Sequence, residues 1–412
     1  MGLLALSGSC QNQIIQGKVA KVQQNSADPD VYKTFQQIVE DNGFIFEEHL
    51  VYTPDNYTLK VFRIPAQKIN EHEVNSGKPV VFMQHGLLDS ADCWIMNHAE
   101  VSPAFVASRA GYDVWLGNNR GNKYSHHLYS GEKSKQQYWD FSFQEMGDFD
   151  IPAMIQYVLN VTNQEKLAYA GHSQGTTQMF YALATNEEFL ASRVSVVLAF
   201  GPVAQLNNST SKMVQLFASN LTRKVVVNTC NALGMYEWFS SNWVTTGSMR
   251  LICDTFPKVC EYGVYLNSDN NLTDCDEKRI QVYLGHYPSG SSLKSFDHLG
   301  QMLDDGKMQK FDYGKKQNLQ IYGNELPPLI DLTKISKVPI GLFVGQYDEL
   351  ADKTDAQWLK TQLKTLTHYK EYELGHLAFF VAKDMSYFTQ DAMNLLMKYQ
   401  PLKQNAFKTF LQ

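Results

Sequence analysis

The chain has 412 residues, 44% of them hydrophobic and 12% aromatic, enough to bury a large core and, by length alone, to form two or three domains. A formal charge of −6 at pH 7 and a pI near 6.0 give no basic field for a phosphate backbone, so no nucleic-acid partner is expected. No apolar run approaches the ~18 residues that a spanning helix needs, and no transmembrane segment is expected either.

Residues 1–27 form an N-terminal segment. Its opening, Met1-Gly2-Leu3-Leu4-Ala5-Leu6 before Ser7-Gly8-Ser9-Cys10, is similar to the tail of a secretory signal but lacks a basic n-region and a full apolar h-region. A truncated signal and an ordinary terminus both fit.

Short apolar runs, each closed by a turn and followed by an amphipathic stretch, recur from there on. Pro79–Met83 precedes Gln84-His85-Gly86, Tyr112–Leu116 precedes Gly117-Asn118-Asn119-Arg120-Gly121, and Lys166–Ala170 precedes Gly171-His172. Val196–Phe200 runs into Gly201-Pro202, and Val338–Val344 into Gly345. Such alternation predicts an α/β fold with a mostly parallel central sheet covered by helices on both faces. It fails between 204 and 332, where Asn, Ser, Gly and aromatic residues mix, and resumes at Val338. Residues 28–203 and 333–412 therefore read as one core, with 204–332 as an inserted cap.

Six cysteines are present, and Cys253, Cys260 and Cys275 lie close together inside that insertion. Glycosylation sequons begin at Asn56, Asn160, Asn207, Asn208, Asn220 and Asn271. Sequons beside clustered cysteines favour an oxidising, secretory-route compartment, hence a secreted or lysosomal glycoprotein. Zinc is the rival reading of the cysteines, but no CxxC pair or nearby His at ligand spacing supports it, and neither metal nor cofactor is expected.

Gly171-His172-Ser173-Gln174-Gly175 fits G-x-S-x-G between a strand and a stretch, Thr176–Ala184, with helical character. That context predicts a nucleophile elbow. Ser173 is held in a strained conformation, side chains at Gly171 and Gly175 would collide with neighbours, and the hydroxyl sits at a helix N-terminus that favours developing negative charge. A glycine-rich turn capping a helix is the alternative. A serine hydroxyl needs a base within hydrogen-bond reach and an acid to orient that base, in the chain order Ser, acid, His.

Asp348, a short turn beyond the strand ending at Val344, is the expected acid, ahead of Glu349 and Asp352, whose alternative role is a helix cap. His376 is the expected base, directly after an alternating edge strand at Lys370–Leu374; His368 falls at the start of that strand, away from the site. His85 and His172 precede the acid in the chain and are read as loop supports. The oxyanion needs two backbone donors, expected from Gln174 and from Leu87 in the His85-Gly86-Leu87-Leu88 loop.

From about Val31 to Tyr387 the chain resembles the acid lipase family, which includes gastric and lysosomal acid lipases. The resemblance rests on Asp55-Asn56-Tyr57-Thr58-Leu59 with Arg63-Ile64-Pro65, Gln84–Ala91, Gly111–Asn122, Trp139–Phe143 with Glu145-Met146, Gly171–Thr177, and Gly285–Ser292. It implies an α/β-hydrolase fold, the triad Ser173, Asp348 and His376, an oxyanion hole at Leu87 and Gln174, an extrusion domain with a lid at the inserted block, an acyl-ester lipid substrate and transient contact with a lipid interface. The chain departs from the family pattern at Ala378, where a carboxylate commonly follows the base, which bears on the support of His376 and on the pH optimum. The cap's cysteine spacing differs too, so a Cys253–Cys260 pairing stays a guess. The triad does not itself select the acyl chain. An esterase on small soluble esters, and a non-catalytic lipid-binding protein on the same scaffold, are the alternatives; oligomeric state is not read from the sequence.

Overall fold

The computed structural model describes residues 28–74, 77–215, 219–239 and 274–402. An eight-stranded sheet runs in the order β1-β2-β4-β3-β5-β6-β9-β10. Its strands are β1 (Glu47–Tyr52), β2 (Thr58–Ile64), β3 (Val80–Gln84), β4 (Asp113–Gly117), β5 (Leu167–His172), β6 (Val194–Phe200), β9 (Ile340–Gly345) and β10 (Leu366–Tyr372). A separate two-stranded ribbon pairs β7 (Glu237–Trp238) with β8 (Ser291–Ser292). Strand β2 runs antiparallel to both its neighbours, and the pairs from β4 to β10 are parallel. The four strands β3, β4, β5 and β9 are buried along their whole lengths, which is why their sequences are apolar without alternation. Each fully buried Val, Leu or Phe contributes about 1.5–3 kcal/mol, so these strands anchor the fold.

Two apolar clusters flank the sheet. One gathers the 3-10 turn Ala91–Ile95, the helix Pro103–Ala110 and the C-terminal helix Met393–Tyr399; the other gathers the helices Ile151–Thr162 and Gln174–Ala191. Chain order reverses at β3, which lies between β4 and β5, and the register pairs Gln84 with Gly171. The loops leaving β3 and β5 therefore emerge side by side at the carboxyl edge of the sheet, where ligands of open α/β sheets bind.

The block between β6 and β9 interrupts the chain and not the sheet, because Val197 of β6 still pairs with Ile340 of β9. Its described part is mainly helical, including Asn220–Ala232, Glu277–His286, Leu293–Asp305 and Lys315–Tyr322. Helix Glu277–His286 shares one apolar cluster with Val31, Phe35, Trp94 and Phe380. Arg279 on that helix is buried, its Nη1 lying 3.1 Å from an Asp28 carboxylate oxygen and 2.9 Å from one of Asp30, while Nε donates to the carbonyl of Met96 at 2.6 Å. The block is thus tied into the core rather than set apart from it.

Two boundaries differ from expectation. The edge strand covers Leu366–Tyr372, not Lys370–Leu374: its parallel register with β9 starts at Ile340, and beyond Tyr372 the chain turns, the Leu374 carbonyl accepting from the Tyr347 amide at 3.0 Å. His368 consequently lies within the strand, stacked on Phe343 with ring centroids 4.6 Å apart. The N-terminal segment, Cys253, Cys260 and Asn271 fall outside the described residues.

Candidate active site

Strand β5 ends at His172, helix Gln174–Ala191 begins one residue later, and Ser173 between them has φ 53° and ψ −123°. A non-glycine residue there is strained by ~1–3 kcal/mol and persists only where its surroundings hold it. The hold is visible. The Ser173 amide donates to the carbonyl of Phe200 at 3.1 Å, and its own carbonyl accepts from the amide of Thr176 at 2.8 Å and the hydroxyl of Thr176 at 2.6 Å.

The glycines are explained by close approach. A Cβ on Gly175 would stand 2.5 Å from the Gln84 carbonyl oxygen, and one on Gly171 would stand 2.9 Å from the Tyr169 ring and 3.0 Å from Gly175. Gly86 has the same need, since its Cβ would lie 2.9 Å from that of Ser173. The β3 loop can approach the serine this closely only as glycine.

His85 fixes that loop. The Asn119 backbone N–H donates to His85 Nε2 at 3.1 Å, so Nε2 is an acceptor and the proton sits on Nδ1, which donates to the Gly86 carbonyl at 2.8 Å. Burial pulls the His85 pKa down to about 4, keeping the ring neutral in this tautomer. Leu87 and Leu88 follow, with Leu88 at φ 61°, and the Leu88 carbonyl accepts from the Ser289 amide of the inserted block at 2.7 Å. The side chains of Leu87 and Leu88 pack with Phe296, Trp238, Val226 and Tyr287, all from that block.

Asp348 and His376 meet directly: His376 Nδ1 lies 2.8 Å from Asp348 Oδ2, and both side chains are buried. The second carboxylate oxygen accepts from the amides of Leu350 and Ala351 at 2.9 and 2.7 Å, which fixes the acid's orientation. Of the rival acids, Asp352 caps the helix Lys353–Gln362, accepting from the Thr354 amide at 2.7 Å, and Glu349 holds the Thr210 and Ser211 amides through its backbone carbonyl. Gly201, missed as a site residue in the sequence, lies against the pair and directly after the residue that holds the elbow. It follows Phe200, whose carbonyl holds the Ser173 amide, and a Cβ there would lie 3.2 Å from His376 Nδ1 and 3.3 Å from Asp348 Oδ2. Its φ of 51° is the signal that only glycine fits easily.

His172 contacts His376. Its Nε2 lies 3.0 Å from the His376 carbonyl oxygen and its ring centroid 4.6 Å from that of His376. Burial, reinforced by the neighbouring His376, holds its pKa well below the ordinary histidine value.

Below the β3 loop, Asp89 is buried, accepting from the Tyr283 hydroxyl at 2.7 Å and the Ser90 amide at 2.8 Å; burial pushes its carboxyl up to about 7. Asp92 behaves oppositely. Burial would raise it, but the Lys123 ammonium and His286 hold it well below the carboxylate range. Several motif residues turn out to be structural: Arg120 is buried against Asp150 and Asp55, so two separate signatures meet in one ion cluster. Ala378, which lacks the expected carboxylate, is buried at the start of the short helix Ala378–Val381.

Of the sequon asparagines, Asn56, Asn160, Asn207 and Asn220 are exposed. Asn208 is exposed too, but its side-chain amide donates to Asp355 at 2.8 Å. No described helix is long and apolar enough to cross a membrane.

Comparison with known proteins gives concordant matches. Residues 79–383 match the α/β hydrolase fold family, and residues 35–98 match the partial α/β-hydrolase lipase region. Human lipase member K is 34% identical over 384 residues, covering 91% of this chain and 93% of its own. Bovine gastric triacylglycerol lipase is 35% identical, covering 89% and 90%, and the Caenorhabditis elegans lipase lipl-3 is 36% identical, covering 82% and 84%. Among solved structures, DcsB in complex with its substrate analogue superposes with a TM-score of 0.52 at 10% identity, covering 86% of this chain and 99% of its own, a likeness of fold alone.

Proposed function

Because this chain belongs to the acid lipase family of α/β-hydrolases, we propose that it hydrolyses carboxylic esters of lipids, triacylglycerol or sterol ester, with Ser173 as nucleophile. The observation that carries this reading is a serine at φ 53° on a strand-to-helix elbow together with a buried Asp348–His376 pair whose His376 carbonyl is bonded by His172, the residue before that serine.

In this mechanism Asp348 accepts the Nδ1–H of His376, which leaves Nε2 free of a proton and able to take one from the Ser173 hydroxyl. The alkoxide attacks the ester carbonyl. The N–H groups of Leu87 and Gln174 receive the oxyanion; removal of one such donor elsewhere costs ~3–4 kcal/mol of transition-state stabilisation. His376 returns its proton to the leaving alcohol, and water, deprotonated by the same imidazole, releases the acid from the acyl-enzyme. Neither metal nor organic cofactor is needed for these steps.

The 204–332 block is assigned as the cap. Leu87 and Leu88 packed under Phe296 and Trp238 give an apolar wall beside the oxyanion donors, suited to an acyl chain. Leu221, Val225, Leu233, Met235 and Phe239 are exposed on the same block, suited to transient contact with a lipid surface. Secretory delivery, outside the cell or to lysosomes, with glycans at Asn56, Asn160, Asn207, Asn208 or Asn220, is the compartment consistent with the sequons; at Asn208 a glycan would leave only one amide hydrogen, which would have to keep the bond to Asp355. The test is a hydrolysis panel of long-chain, short-chain and sterol esters from about pH 4 to 8, with Ser173→Ala as blank. Long-chain or sterol-ester turnover that disappears in the blank supports the reading. Turnover of short soluble esters alone overturns the lipid assignment, and a blank as active as wild type overturns the nucleophile.

A further inference from the structure

We infer that His126, His127 and Glu237 form a binding site for one divalent transition cation, of the zinc class, joining the core to the inserted block. Their ligating atoms all lie within 4.8 Å of one another, and no second such group of three occurs among the described residues. Two ligands come from the loop after β4 and the third from β7, 111 residues beyond His126. Motif spacing could not have grouped them.

The two core ligands sit on a fixed base. The Leu128 carbonyl accepts from the Thr58 amide at 2.9 Å and the Ser130 amide donates to Asn56 at 2.9 Å, pinning the loop to the start of β2. The His127 amide donates to the Tyr138 hydroxyl at 2.7 Å, and its ring stacks on Tyr138 at 4.8 Å. Successive side chains of an extended segment point to opposite sides. His127 instead has φ 51°, and its ring lies 4.2 Å, centroid to centroid, from that of His126. A left-handed histidine carries strain that needs a reason, and bringing two imidazoles to one face is a reason.

Glu237 Oε1 already lies 2.9 Å from His126 Nε2. In a tetrahedral zinc site, ligand atoms ~2.0–2.2 Å from the metal stand roughly 3.3 Å apart. That pair is near the required spacing, and the exposed His127 ring needs at most about 1.5 Å of closure. Two neutral imidazoles and one carboxylate make a singly negative set with a fourth position left for water, which suits zinc, cobalt or nickel and does not suit calcium or magnesium. The cation takes the place of the hydrogen bond between His126 Nε2 and Glu237, and the His126 imidazole keeps one proton, on Nδ1. The junction is already held by Lys135, whose ammonium donates to the Gly234 carbonyl at 3.0 Å, so the ion would lock an existing contact.

The test is calorimetric titration of zinc chloride into chelator-treated full-length protein, with cobalt absorption as a second readout. One saturable site is expected, with affinity falling at least tenfold in both His127→Ala and Glu237→Gln and unchanged in His98→Ala; visible cobalt bands of low coordination number should appear in the wild type. Zinc should also slow hydrogen exchange at Glu237 and Trp238 in the wild type alone. Binding equally strong in the Ala and Gln variants, with metal-free melting temperatures showing both folded, overturns the site. So does an absence of cobalt bands and of saturable zinc binding in the wild type, whatever the variants do.

Discussion

His172 donates from Nε2 to the backbone carbonyl of His376 at 3.0 Å, so the residue before the elbow serine holds the main chain of the proposed base. The carbonyl can only accept, which fixes the proton of His172 on Nε2 and leaves Nδ1 bare, with no partner among the described residues. His172→Ala removes a buried hydrogen bond to the main chain of His376, worth about 0.5–1.5 kcal/mol, which predicts a fall in kcat of roughly 2–10-fold with KM little changed. His172→Gln, which can still reach that carbonyl, should recover part of the loss. Steady-state kinetics on a soluble ester decide it; wild-type kcat in the alanine variant would refute the positioning role.

Ser173→Ala should reduce turnover by about 10⁶-fold, to the level of binding and oxyanion stabilisation alone. Asp348→Asn keeps the shape but loses the charge that fixes the His376 tautomer, and about 10⁴-fold in kcat is expected. Phosphonate labelling separates the two: the first variant takes no label, and the second takes it slowly at Ser173.

Asp89 predicts an unusual pH dependence. Its carboxyl titrates near 7 in the fold against 3.8 for the free side chain, so the folded chain retains a proton that the unfolded chain gives up. Its contribution to stability is complete below about pH 4 and drains away as pH rises through about 7. Asp89→Asn, able to bond Tyr283 and Ser90 in neutral form, should flatten the decline in urea-unfolding stability between about pH 4 and 7. An unchanged slope would mean that Asp89 is already ionised in the fold.

Gly175→Ala drives a methyl against the Gln84 carbonyl, where a Cβ would stand at 2.5 Å, and neither backbone can easily yield. A loss of about 1–3 kcal/mol is expected in chemical denaturation, together with lower activity because the oxyanion loop is displaced. Gly201→Ala meets the Asp348–His376 pair at 3.2–3.3 Å with φ 51°, and should lower kcat more than it lowers stability. Equal effects of both substitutions on both quantities would contradict this division.

Much of this architecture can be read from residue patterns. Strands β3, β4, β5, β6 and β9 are apolar because both faces are covered, and their runs are legible as such; a motif and chain order single out Ser173, Asp348 and His376 as the proposed triad, and the Asp348–His376 contact is in the fold. Strands β1 and β2 are less apparent: β1 alternates half-exposed residues along an edge, and β2 mixes Lys60 and Arg63 into its run. Gly86, Gly201 and the second role of His172 depend on which loops meet at the sheet edge, and that is a property of strand order. Arg279 reads as an ordinary helix surface residue until its partners, Asp28 and Asp30, arrive from the other end of the chain.

That last contact has a practical consequence for expression and proteolysis. The residues just before the first helix act as a strap across an element that enters the chain some 250 residues later, at 251 from Asp28 to Arg279. Trimming the leading end past Asp30 would strip a buried guanidinium of both counter-ions while leaving every strand intact, and such losses cost ~3–5 kcal/mol. A recombinant version begun at Thr34, though it retains the entire sheet, should therefore be far more sensitive to heat and proteases than one begun at Asp28.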